Sequence, residues 1–154
     1  MRIAVGCDEA GLPLMEVIRE QLKGKGIDLL DFGVHSTDPV DYPDIAAQVA
    51  ESVANHQVER AVLICGTGIG MSITANKIPG VRAALCHDTY SAERARKSND
   101  AQVITMGARV IGPELAKSII DAWLASDFAG GRSAPKVDKM NAVDAQYRAQ
   151  RTNE

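Results

Sequence analysis

Cys65-Gly-Thr-Gly-Ile-Gly70 is the stretch of this sequence best equipped to do chemistry. Glycines at alternate positions let the main chain approach a ligand closely. They open a helical pattern, and the first N–H groups of a helix lack intrahelical partners and attract anions. A cysteine placed just before adds a thiol where thiolates are favoured. A thiolate beside an anion hole could attack a carbonyl, or it could take a proton from carbon. The second suits a hole for an enediolate, whose charge develops on oxygen in the transition state, where one donor is worth about 3 kcal/mol. The plainer alternative is that Cys65 is a small apolar residue ending a buried strand. For Cys7 and Cys86, which also stand at strand ends, packing is the reading we adopt.

Other uses of the loop fail on spacing. A Walker loop ends in Gly-Lys-Ser/Thr, whereas Met71 and Ser72 follow Gly70. A dinucleotide fingerprint is G-x-G-x-x-G after the first strand, and the spacing here is G-x-G-x-G, although Asp88 stands where a ribose-binding acid would. Asp8 and Glu9 would suit a phospho-receiver domain, but Cys65 occupies the place of its aspartate. A cysteine phosphatase loop wants an arginine where Met71 stands.

The elements that must position these residues alternate in type. Apolar or β-branched runs at 3–7, 29–32, 61–64, 81–86 and 103–106 read as strands. Helical patterns cover 12–25, 43–55, 71–77, 89–98 and 113–126, with Pro13 and Pro113 near N1, where a missing N–H does no harm. The run 61–64 is continuously apolar, as in a strand buried on both faces. Strands alternating with helices give right-handed βαβ units, so the expected fold is α/β: a doubly wound, flavodoxin- or Rossmann-like, five-stranded parallel sheet with helices on both faces. Ligands of such sheets bind beyond the carboxyl ends of the strands, at the switch point. The residues there are Asp8, Glu9, Ala10 and Gly11; Cys65 to Gly70; His87 and Asp88; and Gly107, Ala108 and Arg109. Strands one and three would flank the crevice. We expect one domain over 1–154, with an α/β core at 1–128 and a tail at 129–154. A last, highly charged helix at 137–151 would cross to a partner subunit, the alternative being a frayed tail.

Composition narrows the classes. A chain of 154 residues buries about two thirds of its unfolded surface and needs no disulfide or metal to hold a core. Aromatics make up 4%, so Ala, Val, Ile, Leu and Met must fill it. A formal net charge of −3 argues against nucleic acid as a partner. No apolar run approaches the ~18 residues of a membrane span, and the first residues read as a strand rather than a leader. The three cysteines have no metal spacing and read as free thiols in a reducing cytoplasm. His35 and His56 read as surface residues.

Taken with Val5-Gly-Cys-Asp8 and Gly11, Asp41-Tyr-Pro43, Ala75-Asn-Lys77, Asn99-Asp100 and Gly107-Ala-Arg-Val-Ile-Gly112, the loop gives a specific resemblance over nearly the whole chain. The sequence resembles the ribose-5-phosphate isomerase B family, which includes galactose-6-phosphate isomerases and the tetrose-phosphate isomerases of erythritol breakdown. The resemblance implies an aldose–ketose isomerase acting on a small phosphorylated sugar, with no cofactor and no metal, as a homodimer or a dimer of dimers. It implies Cys65 as the base moving a proton between C1 and C2. Gly66, Gly68, Ile69 and Gly70 would hold the enediolate, with Thr67 lining the same hole. Asp8 would handle protons at the sugar oxygens and Asn99 would hydrogen-bond them. Arg109, Arg132 and Lys136 fall where the family places phosphate-binding cations. Arg132 and Lys136, in the tail, would serve the neighbouring subunit, on one face if that segment is helical.

Three departures from the family pattern bear on the substrate. Glu9 stands where a histidine is common, exchanging a possible cation for an anion, and its carboxylate would hydrogen-bond a sugar hydroxyl. Lys136 is a point charge where an arginine fork is common. Ser98 stands where the family often has the histidine that opens the sugar ring. A pentose 5-phosphate closes through its free 4-hydroxyl, whereas a tetrose 4-phosphate has that hydroxyl esterified. The stretch His87-Asp-Thr-Tyr-Ser-Ala-Glu-Arg-Ala95 also looks like the erythritol-pathway enzymes. The expected pair is D-erythrulose 4-phosphate and D-erythrose 4-phosphate. The alternative is that His87 supplies the imidazole and ribose 5-phosphate, of the pentose phosphate pathway, is the substrate. A domain that binds a phosphorylated ligand without turnover is the other class, which Cys65→Ala would separate from an enzyme.

Overall fold

The structure, a computed structural model, describes residues 1–152. Five strands form one all-parallel sheet: β1 (Arg2–Cys7), β2 (Asp28–Asp31), β3 (Arg60–Cys65), β4 (Ala83–Leu85) and β5 (Val103–Gly107). Between and after them run α1 (Leu12–Gly24), α2 (Tyr42–Ala54), α3 (Ile69–Ala75), α4 (Thr89–Lys97) and α5 (Pro113–Leu124). A 3-10 turn (Gly131–Ser133) leads into α6 (Ala134–Arg151).

The sheet order is β2-β1-β3-β5-β4. β1 and β3 are neighbours, as a crevice between them requires. Beyond β3 the chain crosses to the edge strand β4 and then returns inward to β5. Burial follows that order: all five residues of β5 are buried, whereas the three of β4 are half-exposed or exposed. The consequence for the site is direct, because Cys65 is paired in register with Gly107.

Two apolar layers follow from the crossovers. Leu14, Met15, Ile18 and Leu22 of α1, Ala92 and Ala95 of α4, and Ile119, Ile120 and Trp123 of α5 cover one face. Ala46, Val49, Ala50 and Val53 of α2, with Met71 and Ala75 of α3, cover the other. Each buried Leu or Ile is worth about 1.5–3 kcal/mol relative to exposure. The Arg60 guanidinium lies 5.3 Å from the Trp123 ring and donates to the Trp123 and Ser126 carbonyls, which fixes the end of α5 at the amino edge of the sheet. Among the described residues, no helix is long and apolar enough to cross a membrane.

Candidate active site

The register of β1 against β3 pairs Cys7 with Ile64, so the next residue of each strand, Asp8 and Cys65, emerges side by side at the carboxyl edge. Parallel neighbours stand about 4.8 Å apart. Asp8 is 7% exposed, and its carboxyl accepts the Gly11 N–H at 2.9 Å where β1 turns into α1. Burial pushes the Asp8 carboxyl above its ordinary range, against the N–H groups of Gly11 and Ala10 that pull it down and with the neighbouring Glu9 charge adding to the rise.

Cys65 is 4% exposed, and its Sγ accepts the Gly68 N–H at 3.1 Å. Thr67 Oγ1 accepts from Ile69 N at 3.3 Å. Sulfur, hydroxyl and loop amides therefore stand together in one turn, the candidate bowl for a substrate. Gly68 has φ +76°, and a Cβ there would stand 2.7 Å from the Met106 carbonyl carbon, so a side chain is excluded both by conformation and by space. From the β5 side, Ala108 N donates to the Cys65 carbonyl at 2.9 Å, Arg109 N to that of Gly66 at 3.0 Å, and Thr105 Oγ1 to that of Gly68 at 2.9 Å. The Arg109 guanidinium packs on Gly66, with Nη1 3.4 Å from where a Cβ would be.

Glu9, expected to bind a sugar hydroxyl, is half-exposed and has a main-chain partner. Its Oε2 accepts the Val40 N–H at 3.1 Å, which ties the connection before α2 to the site. That N–H holds the carboxyl below its ordinary range, and the Arg109 charge adds to the effect. His87 Nε2 accepts the Gly107 N–H at 2.9 Å. Tyr42, which sequence reasoning gave no role in the site, lies with its ring flush over Gly70, where any Cβ would collide with it. The Asp41-Tyr-Pro43 motif and the bare Gly70 are the only signals that would have found it.

Asn99, expected to hydrogen-bond the sugar oxygens, lies away from this bowl, and Arg132 and Lys136, expected to serve a neighbouring subunit, belong to the tail. Asn99 follows α4, which runs back toward the amino edge, and its carbonyl accepts from Arg82 Nε at 3.2 Å ahead of β4. β5 alone separates that level from Cys65 by about 13 Å, at ~3.3 Å per residue. Asn99 instead lines a cavity along the edge strand with Cys86 and Met140. Arg132 lies in the 3-10 turn and Lys136 in the first turn of α6, so a single α-helix does not carry both on one face. Both are exposed, and the tail they belong to starts at the amino edge, where Ala129 N donates to the Lys97 carbonyl. His35 and His56 are exposed, as expected. Burial pushes the thiols of Cys7, above its ordinary range, and Cys86, to about 11, consistent with packing roles.

Residues 3–140 match the model of a family described as Ribose/Galactose Isomerase. The chain is 58% identical over 148 residues to a Listeria innocua protein named ribose-5-P isomerase B, covering 96% of this chain and all of that one. It is 52% identical over 152 residues to a D-erythrulose-4-phosphate isomerase of Pectobacterium atrosepticum, covering 97% and 99%. A solved ribose-5-phosphate isomerase B of Clostridium thermocellum superposes with a TM-score of 0.93 at 44% identity, covering 96% of this chain and 99% of that one.

Proposed function

The chain belongs to the ribose/galactose isomerase family, and on that premise we propose that it interconverts D-erythrulose 4-phosphate and D-erythrose 4-phosphate. It is an aldose–ketose isomerase of the ribose-5-phosphate isomerase B type. The mechanism we infer rests above all on the Cys65 Sγ held against the Gly68 N–H, one strand spacing from Asp8. The Cys65 thiolate takes the proton from C1 of the ketose or C2 of the aldose and returns it to the other carbon. The charge that develops on the substrate oxygen is met by amides of the 66–70 loop. Asp8 carries a proton between O1 and O2, and its burial-raised carboxyl suits that traffic. Arg109 takes the phosphate.

Asn99, Arg132 and Lys136 reach such a site only from a second copy of the chain, so the reading includes a homodimer in which each bowl is completed by its partner. The exposed apolar residues of α6, Met140, Val143 and Tyr147, support that contact, because Val137 is the one buried residue of that helix among those described.

The tetrose preference rests on Ser98. Its hydroxyl accepts from Arg94 Nε at 2.9 Å and Nη2 at 2.6 Å, so the position holds a hydroxyl fixed by a guanidinium and no titrating ring. The ribose 5-phosphate reading is supported by the name of the 58% identical relative, and the phosphorylated-ligand binding domain has no observation in its favour. The test is kcat/KM on D-erythrulose 4-phosphate and D-ribose 5-phosphate side by side, without added metal. A preference for the tetrose of about tenfold or more is expected, and equal or reversed values would return the chain to pentose chemistry.

A further inference from the structure

His87 is the histidine nearest the bowl, and its contacts say what it does there. The β4–β5 ladder passes Val103 N–H to the Arg82 carbonyl and Cys86 N–H to that of Thr105. Continuing in steps of two, Gly107 N–H would meet the carbonyl of Cys86. β4 ends at Leu85, and the His87 Nε2 takes the Gly107 N–H instead, at 2.9 Å. An atom that accepts an N–H cannot itself carry a proton, so the ring is neutral with its hydrogen on Nδ1. Asp88 caps α4, its two oxygens accepting from Ser91 N at 2.6 Å and Ser91 Oγ at 2.8 Å.

What His87 holds in place is the floor of the loop. Gly107 is in register with Cys65. A Cβ on Gly107 would stand 2.7 Å from the Thr67 Cα and 2.8 Å from the Gly66 carbonyl oxygen, so its main chain presses directly on the segment that must hold the enediolate. The residues after Gly107 donate to Cys65 and Gly66, as described. A shift of Gly107 therefore moves sulfur and oxyanion donors together, and donor placement within a fraction of an ångström decides how much such a hole contributes.

We propose that His87 is a positioning residue for the isomerisation, a neutral acceptor that locks Gly107 beneath the Cys65–Gly70 loop, and that it does not open a sugar ring. The proposal rests on the isomerase reading of the same site. It gives His87 work on the loop for either substrate, and it removes Nε2 from proton transfer.

The experiment compares His87→Ala, which has no acceptor, with His87→Gln, whose amide oxygen reaches a similar distance. On D-erythrulose 4-phosphate, His87→Ala is expected to lose at least ~10-fold in kcat with KM changed less than ~3-fold, because Arg109 still holds the phosphate. His87→Gln is expected to recover most of that loss. A His87→Gln enzyme as slow as His87→Ala would show that the imidazole itself moves a proton, and a His87→Ala enzyme as fast as the native one would show that the contact does nothing; either overturns the proposal. The native protein provides a readout independent of turnover: a nitrogen–nitrogen scalar coupling between Gly107 N and His87 Nε2 in 15N-labelled protein. Its presence is expected and its absence overturns the proposal. Should the native protein turn over neither sugar phosphate, the isomerase reading fails, and the coupling still decides whether the contact exists.

Discussion

The two edges of the sheet carry different kinds of residue in different states of completion. At the carboxyl edge, Asp8, Cys65, Gly68, Gly107 and His87 are buried or half-buried, and Asp8 accepts from Gly11, Cys65 from Gly68 and His87 from Gly107. At the amino edge and along the tail, Asn99, Arg132 and Lys136 are exposed, and α6 leaves Met140, Val143 and Tyr147 in solvent. The first region holds the proposed reacting groups and one of the proposed phosphate-binding cations, Arg109. The second has cations and amides but no reacting group. On the proposed reading the single chain holds two halves of a site at different edges of the sheet, which a second copy of the chain would join.

The first way to break this comparison is at the sulfur. Cys65→Ala should lose ~100- to 10,000-fold in kcat, the range expected for removing a positioned base, while inorganic phosphate and substrate still bind. A variant retaining a tenth of native turnover would move the chemistry elsewhere. Next in size is the amino edge: Arg132→Ala should raise KM for the sugar phosphate ~10- to 100-fold, with a smaller fall in kcat, measured by steady-state kinetics. An unchanged KM would leave the second half without a function.

Asp8→Asn separates stability from activity within the first half. The native Asp8 holds its proton more tightly than the unfolded chain does, because burial raises its carboxyl. Between the unfolded and folded pKa values the native state binds more protons, so stability contributed by Asp8 is present below that window and falls as pH rises through it. Asparagine has no charge to bury, and its oxygen still accepts from Gly11. The variant should melt a few degrees higher than the native protein at pH 7, with the gain disappearing below the ordinary aspartate range, and should lose ~100-fold in kcat. Thermal melts across pH and kinetics at one pH check both parts.

The smallest effect is expected at Glu9. Glu9→Ala frees Val40 and loosens the connection leading to Tyr42, so KM should rise ~3- to 10-fold. Glu9→Gln keeps an acceptor and should stay within ~2-fold on both constants. A large loss in Glu9→Gln would restore a direct role on a sugar hydroxyl.

Much of this was legible in the sequence, for stated reasons. Pro13, Pro43 and Pro113 sit at the first helical positions, and the helices begin there or one residue away. The last helix starts at Ala134, three residues earlier than expected, because Pro135 also serves as a helix start. α3 starts at Ile69 rather than 71, since left-handed Gly68 lets the helix follow immediately. β4 is only three residues long: Val81 closes a turn onto the Ile78 carbonyl, and Cys86 keeps one ladder bond as the chain leaves. The placement of β5 beside β3 was not legible, because sequence spacing does not say which strand returns inward. The Cys65–Gly70 loop was plain from its glycines and its thiol. Glu9 on Val40, Tyr42 over Gly70 and His87 on Gly107 were not, because each joins segments far apart in sequence through a single contact.

The most direct test of the two-halves account is complementation between two damaged chains. Cys65→Ala and Arg132→Ala proteins, each nearly inactive at limiting substrate, are unfolded together, refolded as an equal mixture and assayed. Random pairing makes half the dimers mixed, and each mixed dimer holds one intact site of two, so the mixture should regain about a quarter of native kcat/KM. A mixture no more active than the average of its two components would contradict the account, placing Cys65 and Arg132 of one site on the same chain.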